Sequence, residues 1–288
     1  MKYSATTVFL PRLSLVQQAA LLSRLGYDGM ELRVRRIPAE LRAKAEPSAW
    51  GYHVNDVTPE TFAAKAAEIR QVLADHGLAL AGIASAAACT ELDHIKLLVE
   101  GAVAAGAPFI RVGAASGYKG DGSQDYWQVY GETVAGYART LELTRGTGVK
   151  IVLEIHGGTI HCSAALAHRI VSHFNPAEVG VIYDPQNMVK DGFETTALAV
   201  QLLGPYLAHC HVGAHRPLPP SQRDAKGTAQ WTWEACPMAD GLYHFPTLIN
   251  QLRKTGYRHF ISIEDFRQVA PEEILQDAIT YLLSLEHA

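Results

Sequence analysis

Four residues of types that bind metal ions stand at the ends of short apolar runs in the second half of the chain. The runs and their last residues are 149–154 with Glu154, 179–184 with Asp184, 207–211 with His211, and 260–264 with Glu264. In a (β/α)₈ barrel the active site forms at the carboxyl ends of the parallel strands, where one ligand per strand end would converge. Each interval is long enough for a loop, a helix and the next strand. The spacing therefore predicts a metal site distributed over four strand ends.

Three carboxylates and one imidazole form a hard, mostly oxygen donor set. Such a set suits Mn²⁺, with Mg²⁺, Co²⁺ and Zn²⁺ as alternatives. A cation with open positions can chelate the carbonyl and the adjacent hydroxyl of a keto sugar, which lowers the cost of removing the proton between them. We therefore expect one divalent metal, Mn²⁺ foremost, and a reaction that begins with proton abstraction next to a carbonyl through a metal-bound enediolate.

The rest of the chain predicts the fold that such a site needs. Four further β-rich runs precede the first candidate ligand, at 3–9, 29–33, 78–85 and 109–113. Amphipathic segments lie between the eight runs, at 14–25, 58–76, 90–105, 126–144, 163–174, 195–203, 245–255 and 271–285. This alternation is typical of parallel strands joined by crossover helices. It predicts an α/β fold, a single (β/α)₈ TIM barrel that spans residues 1–288 as one domain.

Composition limits the partners. The chain has 288 residues and is 48% hydrophobic, with 25 Lys and Arg against 29 Asp and Glu and a net charge of −4. That balance and the lack of basic blocks predict no nucleic-acid partner. No run of 18 apolar residues and no secretory leader is visible, so we expect no membrane partner and a cytoplasmic location. The four widely spaced cysteines predict neither a disulfide framework nor a zinc ribbon.

Two long polar segments interrupt the regular alternation, at 35–57 and 214–242. The first contains Trp50 and the second contains Trp231, and each is interrupted by prolines. Because both follow strand ends, we expect them to cover the mouth of the active site. Surface decoration or a subunit contact explains them as well, so a homo-oligomer or hetero-oligomer through these loops stays open.

At this point the chain resembles a known family over nearly its whole length. The matching segments are VLE at 152–154, VIYD at 181–184 followed by Asn187, HCH at 209–211, and DG at 240–241 leading to ISIE at 261–264. The sequence is similar to the xylose-isomerase-like TIM barrels, which include sugar isomerases, ketose 3-epimerases, inosose dehydratases, C-glycoside deglycosidases and endonuclease IV.

The resemblance implies a role for each matching position. It implies that one divalent cation is bound by four residues, namely Glu154, Asp184, His211 and Glu264. It also implies that Asn187 and Arg216 face a small sugar or keto-sugar substrate. In the ketose 3-epimerases two metal-flanking glutamates act as the bases on the two faces of the substrate, and these would here be Glu154 and Glu264.

Two histidines compete for one ligand position. His209 and His211 alternate on a strand and therefore point to the same side, so that either could bind the metal. We favour His211 because it lies nearer the carboxyl end and because the family pattern places the ligand second. His209 would then pack one layer deeper in the barrel.

His156 departs from the epimerase pattern. It lies two residues beyond Glu154 on the same side, where an imidazole can act as a general acid or base. The further glutamate that the epimerases carry six residues past the metal glutamate is replaced here by Ile160. A dehydratase or lyase acting on a 3-keto sugar, an inosose or a C-glycoside therefore fits nearly as well, with Trp231 stacking on an aglycone. His156 as a mere hydrogen-bond partner is the third interpretation.

Other candidates have weaker support. Inward-facing Glu31 and Arg111 could bind sugar hydroxyls, or form a buried ion pair that ties barrel layers together. His53 is either a substrate ligand or a solvated loop residue. The leading hypothesis is a metal-dependent sugar isomerase or epimerase of carbohydrate metabolism. The lyase comes second, a non-catalytic sugar-binding or assembly subunit third, and a DNA repair endonuclease is disfavoured because it would need more histidines and a basic groove.

Overall fold

Eight parallel strands close into one barrel in the computed structural model, which describes residues 1–286. The described residues contain ten strands, which in chain order are β1 Lys2–Thr6, β2 Gly29–Arg33, β3 Ala79–Ala84, β4 Phe109–Arg111, β5 Lys150–Glu154, β6 Val179–Tyr183, β7 Leu207–Val212, β8 Ala214–Arg223, β9 Ala229–Cys236 and β10 Phe260–Ile263. Strands β8 and β9 form a separate two-stranded sheet, and the other eight form the barrel. Strands β1 to β7 neighbour one another in sequence order, and β10 pairs with both β7 and β1 to close the ring. The predicted (β/α)₈ barrel is confirmed.

Most helices of the described residues pack around the outside of this barrel. They are α1 Leu15–Arg24, α2 Ala39–Lys44, α3 Pro59–Asp75, α4 Leu92–Ala105, α5 Tyr126–Thr144, α6 Ala164–Val171, α7 Pro185–Asp191, α8 Thr196–Leu203, α9 Phe245–Lys254 and α10 Pro271–Glu286. The eight predicted helices are all present, with ends within a few residues of expectation. Within residues 1–286 no helix combines the length and the apolarity needed to cross a bilayer. The cytoplasmic location stays a prediction.

Local sequence explains where helices begin. Ser14 caps α1 through a reciprocal capping box with Gln17, and Pro59 begins α3 after Thr58. Asp184 and Pro185 begin α7 in the same manner, with an acidic N-cap followed by proline at the first helical position. An acidic N-cap followed by proline is a recognised signal for the start of a helix, but the sequence analysis assigned Asp184 to the end of a strand. Helix α7 was therefore not predicted, nor was the short α2.

Two other expectations were wrong in detail. The first strand ends at Thr6, and the chain continues into a 3₁₀ turn over Thr7–Phe9 rather than staying extended to Phe9. Segment 214–242 is not an irregular loop, because most of it forms the antiparallel hairpin β8–β9. The pairing shifts register between Leu218 and Gln222, around Pro219 and Pro220, since proline has no N–H to donate to a ladder.

The barrel interior is filled in layers below the carboxyl ends of the strands. Phe109, Val152 and Ile182 form an apolar plug across β4, β5 and β6. Gly82 on β3 makes room for it, because a Cβ at that position would overlap the Phe109 ring. The ring of His209 lies above this plug with its centroid 5.0 Å from that of Phe109. His209 therefore packs deep in the barrel, as predicted.

Candidate active site

A cavity of about 360 Å³ opens at the carboxyl ends of the barrel strands, a size that suits a small molecule. Its lining combines acidic, basic, amide and aromatic side chains, among them Arg33, Arg35, Trp50, Ser85, Arg111, Glu154, His156, Gln186, Asn187, Lys190, His211, His215, Glu264 and Phe266. The mouth of the barrel is therefore the candidate active site, as the fold predicts.

Three of the four predicted metal ligands, Glu154, His211 and Glu264, line this cavity, and the fourth, Asp184, is buried beside them. Each offers one donor atom, and these atoms all lie within 4.8 Å of one another. Nδ1 of His211 lies 2.9 Å from Oε1 of Glu154 and 3.4 Å from Oε2 of Glu264. All four side chains are buried, Asp184 completely and Glu264 the least, at 8% exposure. We call Glu154, Asp184, His211 and Glu264 the acidic floor.

Glu31 lies beneath the acidic floor rather than in the cavity lining. Its carboxylate is fully buried and lies 3.0 Å from Nε2 of both His209 and His211. Burial raises the pKa of Glu31, but the charges of His211 and His209 outweigh it and hold that pKa well below its usual value. Glu31 thus ties β2 to β7 through the two histidines, rather than through the ion pair with Arg111 that the sequence analysis considered. Glu31, His209 and His211 also form a second group whose donor atoms lie within 4.8 Å of one another, and His211 belongs to both this group and the acidic floor.

Asp184 is fixed by the helix that it caps. Its Oδ1 accepts the backbone N–H of Asn187 at 3.0 Å, and its Oδ2 accepts the side-chain amide of Asn187 at 2.5 Å. Asn187 itself lines the cavity, where the resemblance placed it. The turn of α7 therefore orients one candidate ligand and one candidate substrate contact together.

The acidic floor holds more negative charge than its protein partners offset. Burial, followed by the charges of Glu154 and Glu264, raises the pKa of Asp184 well above its usual value. Glu154 is also penalised by burial, yet an ion pair with Arg111 and the nearby His211 bring its pKa down. For His211, burial lowers the pKa, but the surrounding carboxylates raise it far more. Buried carboxylates at this separation fit a divalent cation, whose charge would replace the protons that the cluster otherwise retains.

The other predicted residues take different positions. His156 lines the cavity, and its Nδ1 donates to the carbonyl oxygen of Gly157 at 2.7 Å. Arg111 lines it too, but pairs with Glu154 rather than with Glu31. His53 lies outside the lining and is 1% exposed, with Nε2 donating to Ala49 O at 3.2 Å. The solvated-loop interpretation of His53 is therefore wrong, because its loop folds back onto the barrel.

Arg216 and Trp231 are not brought to the cavity. Arg216 projects from β8 and pairs with Glu234 of β9, and both side chains are exposed to solvent. Trp231 is 63% exposed on the same hairpin. The residue of this segment that lines the cavity is His215, at the base of the hairpin. The two strands of the hairpin pair with each other, and within segment 214–242 the hairpin residues beyond His215 do not line the cavity.

Several lining residues were not predicted as site residues. Arg35 lies two residues beyond Arg33, which the sequence already indicates as a weaker candidate because it alternates with Glu31 on β2. Gln186 and Lys190 are placed by α7, which the sequence analysis had missed. Gly213 is required beside Gln186, because a Cβ there would overlap the Gln186 amide and the carbonyl oxygen of Glu264.

Residues 19–285 match the sequence model of the family described as xylose isomerase-like TIM barrel. The chain belongs to this family. The assignment agrees with the resemblance found in its sequence and with the closed barrel of the structure. No curated protein matches the chain significantly.

Solved structures share the fold at low identity. One is 3-keto-D-glucoside 4-epimerase YcjR from E. coli, 14% identical, with TM-score 0.72 over 99% of each chain. A second is the probable 3-DHS dehydratase AsbF from Bacillus anthracis, 17% identical, with TM-score 0.72 over 98% of this chain and 99% of that one. A third is a xylose isomerase-like TIM barrel protein from Mycobacterium smegmatis in complex with magnesium, 16% identical, with TM-score 0.68 over 99% and 96%. At these identities the likeness establishes the fold alone.

Proposed function

We propose that this protein is a divalent-metal-dependent isomerase or epimerase of a small keto or aldo sugar. The observation that carries the proposal is the acidic floor, in which three carboxylates and one imidazole from four strand ends converge at the base of a small cavity. Mn²⁺ is the proposed metal, and an oxygen-rich donor set supports it as it supports Mg²⁺. When bound, the cation supplies positive charge to the oxygen that becomes negative as the neighbouring C–H proton leaves.

Glu154 and Glu264 are the proposed bases. Arg111 and His211 hold Glu154 on both sides, so its carboxylate is fixed in place and kept ionised. Among residues 1–286, Glu264 forms one such contact, with His211, and it is the most exposed member of the floor. A carboxylate with this freedom can take a proton from a substrate carbon and return it. Glu31 keeps the His211 ring oriented from below, which fixes the shape of the floor.

A dehydratase or lyase is the second candidate, and His156 favours it. Because Nδ1 of His156 donates to a backbone carbonyl, the neutral ring has its lone pair on Nε2. An imidazole in that state can accept a proton and then deliver it to a leaving oxygen, the step that β-elimination adds to proton abstraction. His156 lines the same cavity as the two glutamates, so both reactions can begin alike.

One experiment separates the two reactions. The Mn²⁺-loaded protein is incubated in D₂O with keto sugars, inososes and 3-keto glycosides, and products are followed by NMR. Deuterium at carbon with the skeleton intact identifies an isomerase or epimerase, whereas loss of water or of an aglycone identifies a lyase. If Mn²⁺ raises the melting temperature but neither deuterium exchange nor elimination occurs, the result would favour a non-catalytic sugar-binding protein and contradict the proposal of an enzyme.

A further inference from the structure

Two arginines line the cavity without a carboxylate partner. Arg33 and Arg35 are absent from the ion pairs formed among residues 1–286. Arg33 is 2% exposed, and its guanidinium makes one hydrogen bond, from Nη2 to the carbonyl oxygen of Gly51 at 2.7 Å. Its Nε and Nη1 are buried without a partner in the described part of the chain. We call Arg33, Arg35 and the neighbouring Trp50 the arginine wall.

The arginine wall is costly to the empty protein. A buried charge without a partner loses hydration that nothing replaces. Burial and then the charge of Arg35 lower the pKa of Arg33 to about 10, and the charge of Asp56, whose carboxylate pairs with Arg42, only partly opposes them. Burial and then the charge of Arg111 lower the pKa of Arg35. Both groups stay cationic at neutral pH, so like charges face one another across the wall. An anion that enters the cavity would relieve this repulsion and supply the missing acceptors.

The acidic floor does not supply those acceptors. Its nearest cation is Arg111, which is already paired with Glu154. The floor and Glu31 together hold four carboxylates, namely Glu154, Asp184, Glu264 and Glu31. If His211 binds a divalent metal as a neutral ligand, the two charges of the metal and the one charge of Arg111 offset three of these four negative charges. Arg33, Arg35 and Lys190 line the same cavity and add three positive charges, of which the carboxylate of Asp191 near Lys190 offsets one and the fourth carboxylate another, so an excess of one positive charge remains. A neutral sugar would leave that excess uncompensated.

Arg35 is also held in place for a ligand. Its guanidinium carbon lies 5.6 Å from the centroid of the Trp50 ring, and Trp50 packs on Phe266 with centroids 5.1 Å apart. Stacking on an aromatic face restricts the side chain and leaves the N–H groups at the edge of the guanidinium free to donate. A planar guanidinium fork of this kind matches the paired oxygens of an oxyanion.

We propose that Arg33 and Arg35 form an oxyanion subsite, and that the substrate is a small hydroxylated carbonyl compound bearing a carboxylate or phosphate group. The inference rests on the proposed function, since it names the class of substrate whose reacting carbon lies over the acidic floor. The anionic group lies against the arginine wall, and the two ends of the substrate are thereby fixed. This gives Arg33 and Arg35 a role in specificity rather than in proton transfer.

A matched ligand series tests the subsite by equilibrium binding. D-fructose, D-fructuronate and D-fructose 6-phosphate differ only at carbon 6, which is neutral, a carboxylate or a phosphate. Titration calorimetry with the Mn²⁺-loaded protein should give at least one anion about 10- to 100-fold tighter binding than D-fructose, as expected for charge-assisted hydrogen bonds. The anion that binds more tightly shows whether the subsite prefers a carboxylate or a phosphate group. Equal binding of all three, or no binding of either anion, would overturn the subsite.

Variants assign the effect to the wall. Arg35→Gln and Arg33→Gln should each remove most of the preference for the anion, because each lowers the affinity for the anion far more than the affinity for D-fructose. Arg33→Lys retains the charge and covers the case in which Arg33→Gln fails to fold. Arg36→Gln is the matched control, because Arg36 is exposed, pairs with Glu60 and lies outside the cavity lining. A preference that survives both glutamine variants would overturn the proposal.

The two proposals can fail separately. Anion-selective binding that the wall variants abolish, without deuterium exchange or elimination in any compound, would contradict the proposed reaction and leave the subsite standing. Exchange with neutral sugars that is indifferent to Arg33 and Arg35 would contradict the subsite and leave the reaction standing.

Discussion

The acidic floor and the arginine wall are built in opposite ways. The floor comes from strand ends, is almost completely buried, and pairs its charges with one another and with Glu31 and Arg111. The wall comes from the end of β2 and the segment that follows it, and its two guanidinium groups have no ion-pair partner among residues 1–286. In the floor, most charges are offset by neighbouring protein groups and by the proposed metal. In the wall, the charges of the two arginines are offset only when an anionic ligand binds.

This difference separates two tasks. A closed network keeps catalytic groups in fixed positions and fixed ionisation states, which proton transfer requires. Unpaired donors cost stability in the empty protein, but they discriminate between ligands that satisfy them and ligands that do not. We therefore expect floor variants to change chemistry and metal binding, and wall variants to change ligand choice.

The largest effect is expected from Glu264→Gln. A glutamine cannot take a proton from carbon, so deuterium exchange should fall by about 10²- to 10⁴-fold. The rate is measured by NMR in D₂O at saturating Mn²⁺, and a parallel Mn²⁺ titration shows how much of the loss comes from weaker metal binding. Glu234→Gln on the exposed hairpin is the control. Near-native exchange in Glu264→Gln would remove that residue from the reaction.

A smaller effect is expected from Glu31→Gln. Glu31 accepts hydrogen bonds from both His209 and His211, and a carboxylate behind a ligating imidazole commonly contributes about 10- to 100-fold in metal affinity. Calorimetric titration with Mn²⁺ should show a loss of that size. Glu60→Gln, which alters an exposed acid, should leave the affinity unchanged. Native affinity in Glu31→Gln would mean that the floor does not depend on the layer below it.

We also expect the protein to lose stability in acid, because His161 lies buried against the backbone of Glu154 in the acidic floor. This buried side chain donates from Nδ1 to the carbonyl oxygen of Glu154 at 2.8 Å, and burial lowers its pKa to about 4 from 6.5. Its neutral form therefore stabilises the fold above pH 6.5, and that contribution is lost as the pH falls towards 4. Between pH 8 and pH 5 the loss is about 2 kcal/mol.

Denaturant unfolding at the two pH values measures this loss. His161→Asn, which keeps a donor for the same carbonyl without titrating, should lose about 2 kcal/mol less stability on acidification than the native protein. His173→Asn, on the exposed surface, should behave as the native protein does. Equal acid sensitivity in His161→Asn and the native protein would show that His161 does not titrate in this range.

The smallest effects are expected on the hairpin. Arg216→Gln breaks an exposed ion pair, and such pairs contribute about 0–1 kcal/mol. Trp231→Ala removes a side chain that is 63% exposed. Neither change should alter Mn²⁺ affinity or D-fructose binding in calorimetry. A strong loss of binding in either variant would mean that the hairpin folds over the mouth when ligand binds, which the sequence had suggested.

The sequence by itself determined the barrel and the members of the floor. Alternating β-rich and amphipathic runs specify the (β/α)₈ fold, and strand ends are the places where that fold gathers its ligands. Glu154, Asp184 and Glu264 could therefore be named from type and position. Strand periodicity left His209 and His211 as alternatives, and the position nearer the carboxyl end together with the family resemblance favoured His211. The family assignment follows from the same segments.

Only the tertiary structure decided how the remaining charges are used. Arg33, Arg35 and Lys190 come from a strand end, a loop and a helix, and no periodic pattern relates the positions of such segments around a cavity. The structure also places Glu31 against His209 and His211, and it pairs Arg216 with Glu234 outside the cavity lining. Pairing of buried charges depends on distances between distant segments, and those distances exist only once the chain has closed into a barrel.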